Sequence, residues 1–160
     1  MNRVTISLIF LISSLTVVAQ DFLNLSQIKE IFDAPINRKE SRILNYGFEL
    51  GTIQPTPGQK LYNKGLVVGS HFNESISFVT RITQYNDPVG FVSYQTWVPK
   101  HYSRLSEAVA NSYRYIGNLE FSGSKGETFD LYQGNGFVIM VYSFSIGSNM
   151  VGNICFKPSK

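Results

Sequence analysis

Apolar residues recur at helical spacing in three stretches of the chain and alternate with polar ones through most of the rest. Leu25, Ile28, Ile31 and Phe32 fall on one helical face. Asn24, followed three residues later by Gln27, has the form of a capping box, in which two side chains satisfy two orphan backbone donors. Pro35 breaks this helix and suits the first turn of the next. The second helix runs to about Tyr46, where Gly47 supplies the left-handed stop. Tyr102, Leu105, Val109, Tyr113 and Ile116 form the face of a third helix, opened by Pro99 and ended by Gly117-Asn118.

Between and after these helices the period changes to two. Ile76, Phe78, Thr80 and Ile82 alternate with Ser77, Val79, Arg81 and Thr83, and Gly90 to Val98 reads as the return strand of a hairpin turning at Asn86-Asp87-Pro88. "GFEL" and "LYNKGLVV" supply short strands before it. "LEFSG", "ETFDLY", "GFVIMVYSFS" and "MVGNICF", separated by Gly, Ser and Asn turns, read as a four-stranded meander after the third helix.

The order helix-then-strands occurs twice, and short phrases recur with it. Gly47-Phe48-Glu49-Leu50 lies over Asn118-Leu119-Glu120-Phe121, Leu61-Tyr62 over Leu131-Tyr132, and Gly65-Leu66-Val67-Val68 over Gly136-Phe137-Val138-Ile139. Ordered matches at a near-constant offset are the mark of an internal repeat. The expected architecture is α+β: tandem duplicated helix–antiparallel-sheet repeats, about 22–85 and 98–157, within one domain over 20–160, with the helices packed on one face of the sheet. Covering one face buries the alternating apolar residues, and an antiparallel sheet tolerates water on the other.

The N-terminus adds an address. Arg3 is the only charge before Asp21, and Val4 to Val18 is a run of apolar and hydroxyl residues. That run is shorter than the roughly 20 residues a spanning helix needs, and Val17 and Ala19 are small enough for a signal-peptidase site, so residues 1–19 read as a cleaved signal peptide. No Cys stands near the cleavage point to carry a lipid anchor. The expected location is secreted or periplasmic, with no membrane span after cleavage. The formal net charge is +3, with the charges scattered. Nucleic-acid binding, which needs a basic cluster to neutralise phosphates, gains no support.

The tandem helix–four-strand pattern resembles β-lactamase inhibitor protein, and the helical start with an antiparallel sheet resembles small outer-membrane assembly lipoproteins. "LTVVAQ" and the helix-end "GFEL" followed by "LY" resemble uncharacterised secreted Bacteroidota proteins. No functional motif of these families matches residue by residue.

The search for chemistry is short. His71 and His101 sit in different segments without a second ligand at metal spacing, so no metal site, cofactor or catalytic set is expected. Cys155, the only cysteine, reads as a small buried hydrophobe in a strand. Glu49 and Glu120, the repeated glutamates, are the only acid pair suggested by position, and both are expected on the outward face of their strands. Aromatic residues make up 14% of the chain, an excess that strand packing explains in part. Their other use is a recognition face, for which Tyr62, Tyr94, Trp97, Tyr132 and Tyr142 are the candidates. The leading expectation is a binding protein that meets a protein partner through an aromatic-rich sheet face. The alternatives are an envelope-polymer hydrolase using acidic residues and a stress protein without a specific ligand. The sequence leaves the oligomeric state open.

Overall fold

The computed structural model describes residues 22–52, 54–65, 72–81, 87–120 and 128–159. The chain is α+β. Helices α1 (Leu25–Asp33) and α2 (Ile36–Asn45) come first, then strands β1 (Glu49–Leu50), β2 (Gln59–Lys64), β3 (Glu74–Val79) and β4 (Val92–Thr96). Helix α3 (Pro99–Ser112) leads into β5 (Arg114–Glu120), β6 (Thr128–Gly134), β7 (Phe137–Ile146) and β8 (Asn149–Pro158). The eight strands among the described residues form one antiparallel sheet in the order β1-β2-β3-β4-β8-β7-β6-β5. Each half is a meander, and the halves meet where β4 pairs with β8 at the centre.

The core lies between one sheet face and the three helices. Tyr62, Ile76, Phe78, Val92, Tyr94, Ile139, Val141, Ile154 and Phe156 point to that face and pack with Ile28, Ile31, Ile43, Leu105 and Val109. The α1 cap forms as expected: Asn24 Oδ1 accepts from Gln27 N at 3.0 Å and Gln27 Oε1 from Asn24 N at 2.9 Å. The far end of α1 is closed by a residue from α2. Lys39, buried, donates from Nζ to the carbonyls of Ile31, at 2.8 Å, and Phe32. Burial pushes its ammonium down to about 8, with Asp33 opposing. Arg42 and Tyr46 hold Glu30, tying α2 to α1.

Two sequence expectations change here. The third helix stops at Ser112, and Ile116, Gly117 and Asn118 belong to β5. The helical period does run on to Ile116, but Arg114 and Tyr115 find ladder partners in β6, and the rings of Tyr115 and Tyr132 meet at 5.5 Å. A paired strand with a cross-strand aromatic contact outweighs one further frayed helical turn. Gly117 is therefore no helix stop. It sits at φ +135° in a β-bulge between Tyr115 and Gly117, whereas Gly47, at φ +79°, closes α2 as expected. The bulge also moves Glu120. Strand register puts Glu49 on the face away from the helices, in line with Asn63 and Ser75, and Glu120 on the helix side, opposite Thr128.

The hairpin at 74–96 forms with β3 and β4, closed by Phe91 N donating to Pro88 O at 3.0 Å. Ile82, Thr83, Asn86, Leu66, Val67 and Val68, on which part of the hairpin and repeat reading rests, lie outside the described residues. Pairing places Tyr62 opposite Ile76 and Tyr132 opposite Ile139.

Candidate functional site

The five aromatic candidates do not share a surface. Tyr62 and Tyr94 have no exposed area; they sit on the helix-covered face inside the core and are closed to a partner. Their alternation with polar neighbours marked them as strand residues, but not which side the helices would cover. Tyr132, half-buried, lies on that same face and stacks edge-on with Tyr115. Trp97, half-buried, follows the end of β4, where its backbone N–H donates to Asn73 O at 3.0 Å. Only Tyr142 stands within an aromatic row on the face away from the helices. Its ring centroid is 6.2 Å from that of Phe129 and 6.4 Å from that of Phe144. Leu119 of β5 extends the row by pairing with Phe129 of β6. Burial, followed by the neighbouring Cys155, pushes the Tyr142 hydroxyl well above the usual phenol range.

This outer face differs along its length. In the first half it carries Gln59, Leu61, Asn63, Ser75, Ser77, Ser93 and Gln95. In the second half it carries Leu119, Phe129, Leu131, Val138, Met140, Tyr142 and Phe144, with the bonded pair Arg114 and Gln133 at one end. Its centre is not wet: Ser75, Ser77, Ser93, Val79, Val151, Asn153 and Cys155 are buried. The helices pack on β4 and β8, and β5 lies beyond them at the sheet's end. Every residue of β5 except Gly117 is exposed, including Tyr115 at 52%, Ile116 at 43% and Leu119 at 53%. A strand exposed on both faces and along its outer edge, carrying large apolar side chains, is a surface that free monomers rarely keep.

A second constellation is buried and polar. Glu74 has no exposed area; its Oε1 accepts from Leu23 N at 2.9 Å and from the Tyr94 hydroxyl at 2.5 Å, while Lys64 Nζ stands 4.0 Å from Oε2. Nε2 of His101 lies 3.0 Å from the same Tyr94 hydroxyl, and the Phe22 ring stacks on the imidazole at 4.7 Å. Burial raises the Glu74 carboxyl, with the Tyr94 and Leu23 hydrogen bonds opposing. Burial lowers the His101 imidazole, Arg104 pushes the same way and the Leu23 carbonyl opposes. The chain His101–Tyr94–Glu74 thus links a half-buried base to a buried acid. One carboxylate oxygen is already occupied and the other is closed to solvent, so Glu74 acts here as the anchor of Phe22–Leu23 on the sheet. The signal for it was legible: Glu74 is in phase with Ile76 and Phe78, and so on their apolar face.

The repeated glutamates do not form an acid pair. Glu49 and Glu120 occupy the first and last strands of the sheet, seven strand spacings or roughly 34 Å apart at about 4.8 Å each, and both are exposed. Carboxylates sharing one glycoside site stand within roughly 10 Å. Among the described residues no three His, Cys, Asp or Glu side chains gather as metal ligands; His71 lies outside these residues. Cys155 is buried, its thiol donating to Ser93 Oγ at 3.2 Å, and burial pushes it up to about 11, so it stays protonated. No described helix is long and apolar enough to cross a membrane. No protein-family description, curated protein or solved structure matches the chain.

Proposed function

We propose that this chain is a secreted or periplasmic, non-enzymatic binding protein that meets a protein partner through the β5–β7 end of its sheet. The observation that carries the reading is β5, a sheet-ending strand exposed along its length with Tyr115, Ile116 and Leu119 uncovered. Beside it, Phe129, Tyr142 and Phe144 add rigid aromatic area, the kind of side chain that anchors protein interfaces. The partner's matching surface is mainly apolar, because Leu119, Phe129, Leu131, Val138, Met140, Tyr142 and Phe144 make up most of the described outer row and Arg114, at its end, is bonded to Gln133. The secreted address rests on the apolar run Val4–Val18. The same reading treats the two halves as copies of one unit, with Ser93 and Cys155, paired at the centre, as counterparts. Laying Ser93 on Cys155 must then bring Ile76 onto Ile139 and Tyr62 onto Tyr132; a superposition that fails to do so removes the duplication.

Cross-linking in native extracts, wild type beside a Tyr115→Lys/Leu119→Lys double variant, tests the interface. Both side chains are exposed, so the variant should keep its fold by circular dichroism while losing the cross-linked partner. An unchanged cross-linking pattern in the folded variant would sink the proposal. Separately, the mature chain should begin at Gln20 by mass spectrometry; an intact Met1 would remove the secreted address.

A further inference from the structure

On the other half of the same outer face, under the loop that precedes β2, lies a cavity of about 250 Å³ lined by Pro55, Leu61, Ser75, Ser77, Ser93 and Gln95. Strand register makes four of these a square array: Ser75 faces Gln95 and Ser77 faces Ser93 across β3 and β4. All three serines are more than nine-tenths buried, at 7%, 6% and 9% exposure. Each of these hydroxyls has one protein partner, and what the cavity can use is the hydrogen-bonding capacity left over.

Their hydrogen-bond inventory is incomplete in a defined way. Ser75 donates its hydrogen to Asn63 Oδ1 at 2.9 Å, which leaves its oxygen as an acceptor. Ser77 Oγ accepts from Gln59 Nε2 at 2.9 Å, and Ser93 Oγ accepts from the Cys155 thiol at 3.2 Å. Both serines therefore keep an O–H to donate. The Gln95 amide adds a donor and an acceptor. Asn153, which pairs with Gln95 on the same face, is fully buried, and neither its amide nitrogen nor its oxygen has a partner. The demand for polar partners thus extends past the serines.

The cavity's rim is fixed. Next to Pro55, Gln54 donates to Gly51 O at 2.6 Å and accepts from Leu61 N at 2.9 Å, and Gly58 O accepts from Thr80 N at 2.7 Å, so the loop that carries Pro55 is tied to the sheet. Pro55 and Leu61 form its apolar side, and none of its described lining residues is charged.

We infer that this cavity is a binding site for a neutral, polyhydroxylated ligand, a single sugar ring of a glycan. Hydroxyl and amide groups match the alternating donors and acceptors of a sugar, the Pro55–Leu61 wall suits its C–H face, and the described lining offers no charged partner to an ionic ligand. The volume falls below the roughly 300–1,000 Å³ of drug-sized sites, which limits the occupant to one ring. This site is separate from the β5–β7 surface, and its test does not depend on that reading.

The test is an amide-shift titration of the isotope-labelled protein with glucose and with N-acetylglucosamine, each into the millimolar range. The expected result is saturable shifts of Ser75, Ser77, Ser93 and Gln95 with at least one of the two sugars. Gln95→Leu and Ser93→Ala should each weaken binding by about tenfold, the loss of one good hydrogen bond, while the rest of the spectrum stays in place. The absence of saturable shifts at these four residues with both sugars overturns the inference. So does an affinity that neither substitution changes.

Discussion

The two halves of the sheet share a strand order and finish it in opposite ways. The first half ends in β1, two residues long, and the second in β5, seven residues long and uncovered. The first half fills its outer face with serines and amides that bond one another; the second fills it with aromatic and aliphatic side chains. Helices α1 and α3 both reach β4, and α3 reaches β8, so the centre is covered and the β5 end projects past the cover. One topology thus yields two unlike surfaces, because topology sets which residues share a face and the residues themselves set what the face does.

That contrast is most easily broken at its seam. Ile154 of β8 pairs with Tyr94 of β4 and is fully buried in the core both halves share. Ile154→Ala should cost about 2–5 kcal/mol, through lost burial and the cavity left behind. Urea denaturation followed by both tyrosine fluorescence and circular dichroism should show one transition at lower denaturant. Two separated transitions would mean that the halves fold independently.

Gly152 sharpens the role of α3. An added Cβ there would lie 2.2 Å from the Tyr102 ring, so this strand position is bare to let the helix approach. Gly152→Ala should cost about 1–3 kcal/mol by overpacking, and Gly152→Ala combined with Tyr102→Ala should recover part of it. Thermal melts of the single and double variants decide this; a neutral single substitution would show that α3 is loosely seated.

The anchor of Phe22–Leu23 is expected to be pH-dependent. His101 has a lowered proton affinity in the fold, so between its lowered value and its ordinary 6.5 the unfolded chain binds more protons. Its contribution is complete above about pH 6.5 and is lost as the pH falls through that window. Glu74 works the other way: raised by burial, it takes up a proton in the fold first and favours the fold as the pH drops toward its ordinary 4.5. Arg104, which lowers His101, and Lys64, which lowers Glu74, are the charged groups bearing on the pair. Denaturation at about pH 7.5 and about pH 5.5 should show a smaller stability loss in His101→Gln than in wild type. An equal loss would remove His101 from the acid response.

The smallest expected effect on stability is at the exposed end. Leu119→Lys should change the unfolding free energy by less than about 0.5 kcal/mol, as surface substitutions do, and should raise solubility. A large destabilisation by urea titration would show that Leu119 is covered in solution.

Much of the fold was legible from periodicity. The α1 face, its capping box, the Gly47 stop and the β3–β4 hairpin follow from spacing and turn chemistry, which act over a few residues. The candidate site was less legible. Tyr62 and Tyr94 carry the same strand signal as Tyr142, yet the first two are core and the third belongs to the outer row. Alternation says that neighbours point apart; it does not say which side the helices take.

The sequence alone determined helices α1 and α2, the Gly47 stop and the alternation of the β3–β4 hairpin, because these depend on local spacing. Tertiary structure decided the rest. Pairing with β6 turned the end of a helical pattern into β5, and a bulge at Gly117 moved Glu120 to the other face. Meander order set Glu49 and Glu120 at opposite ends of the sheet, and the placement of the helices made Glu74 a buried anchor. These outcomes depend on contacts between residues distant in the chain, and a local pattern holds no term for them.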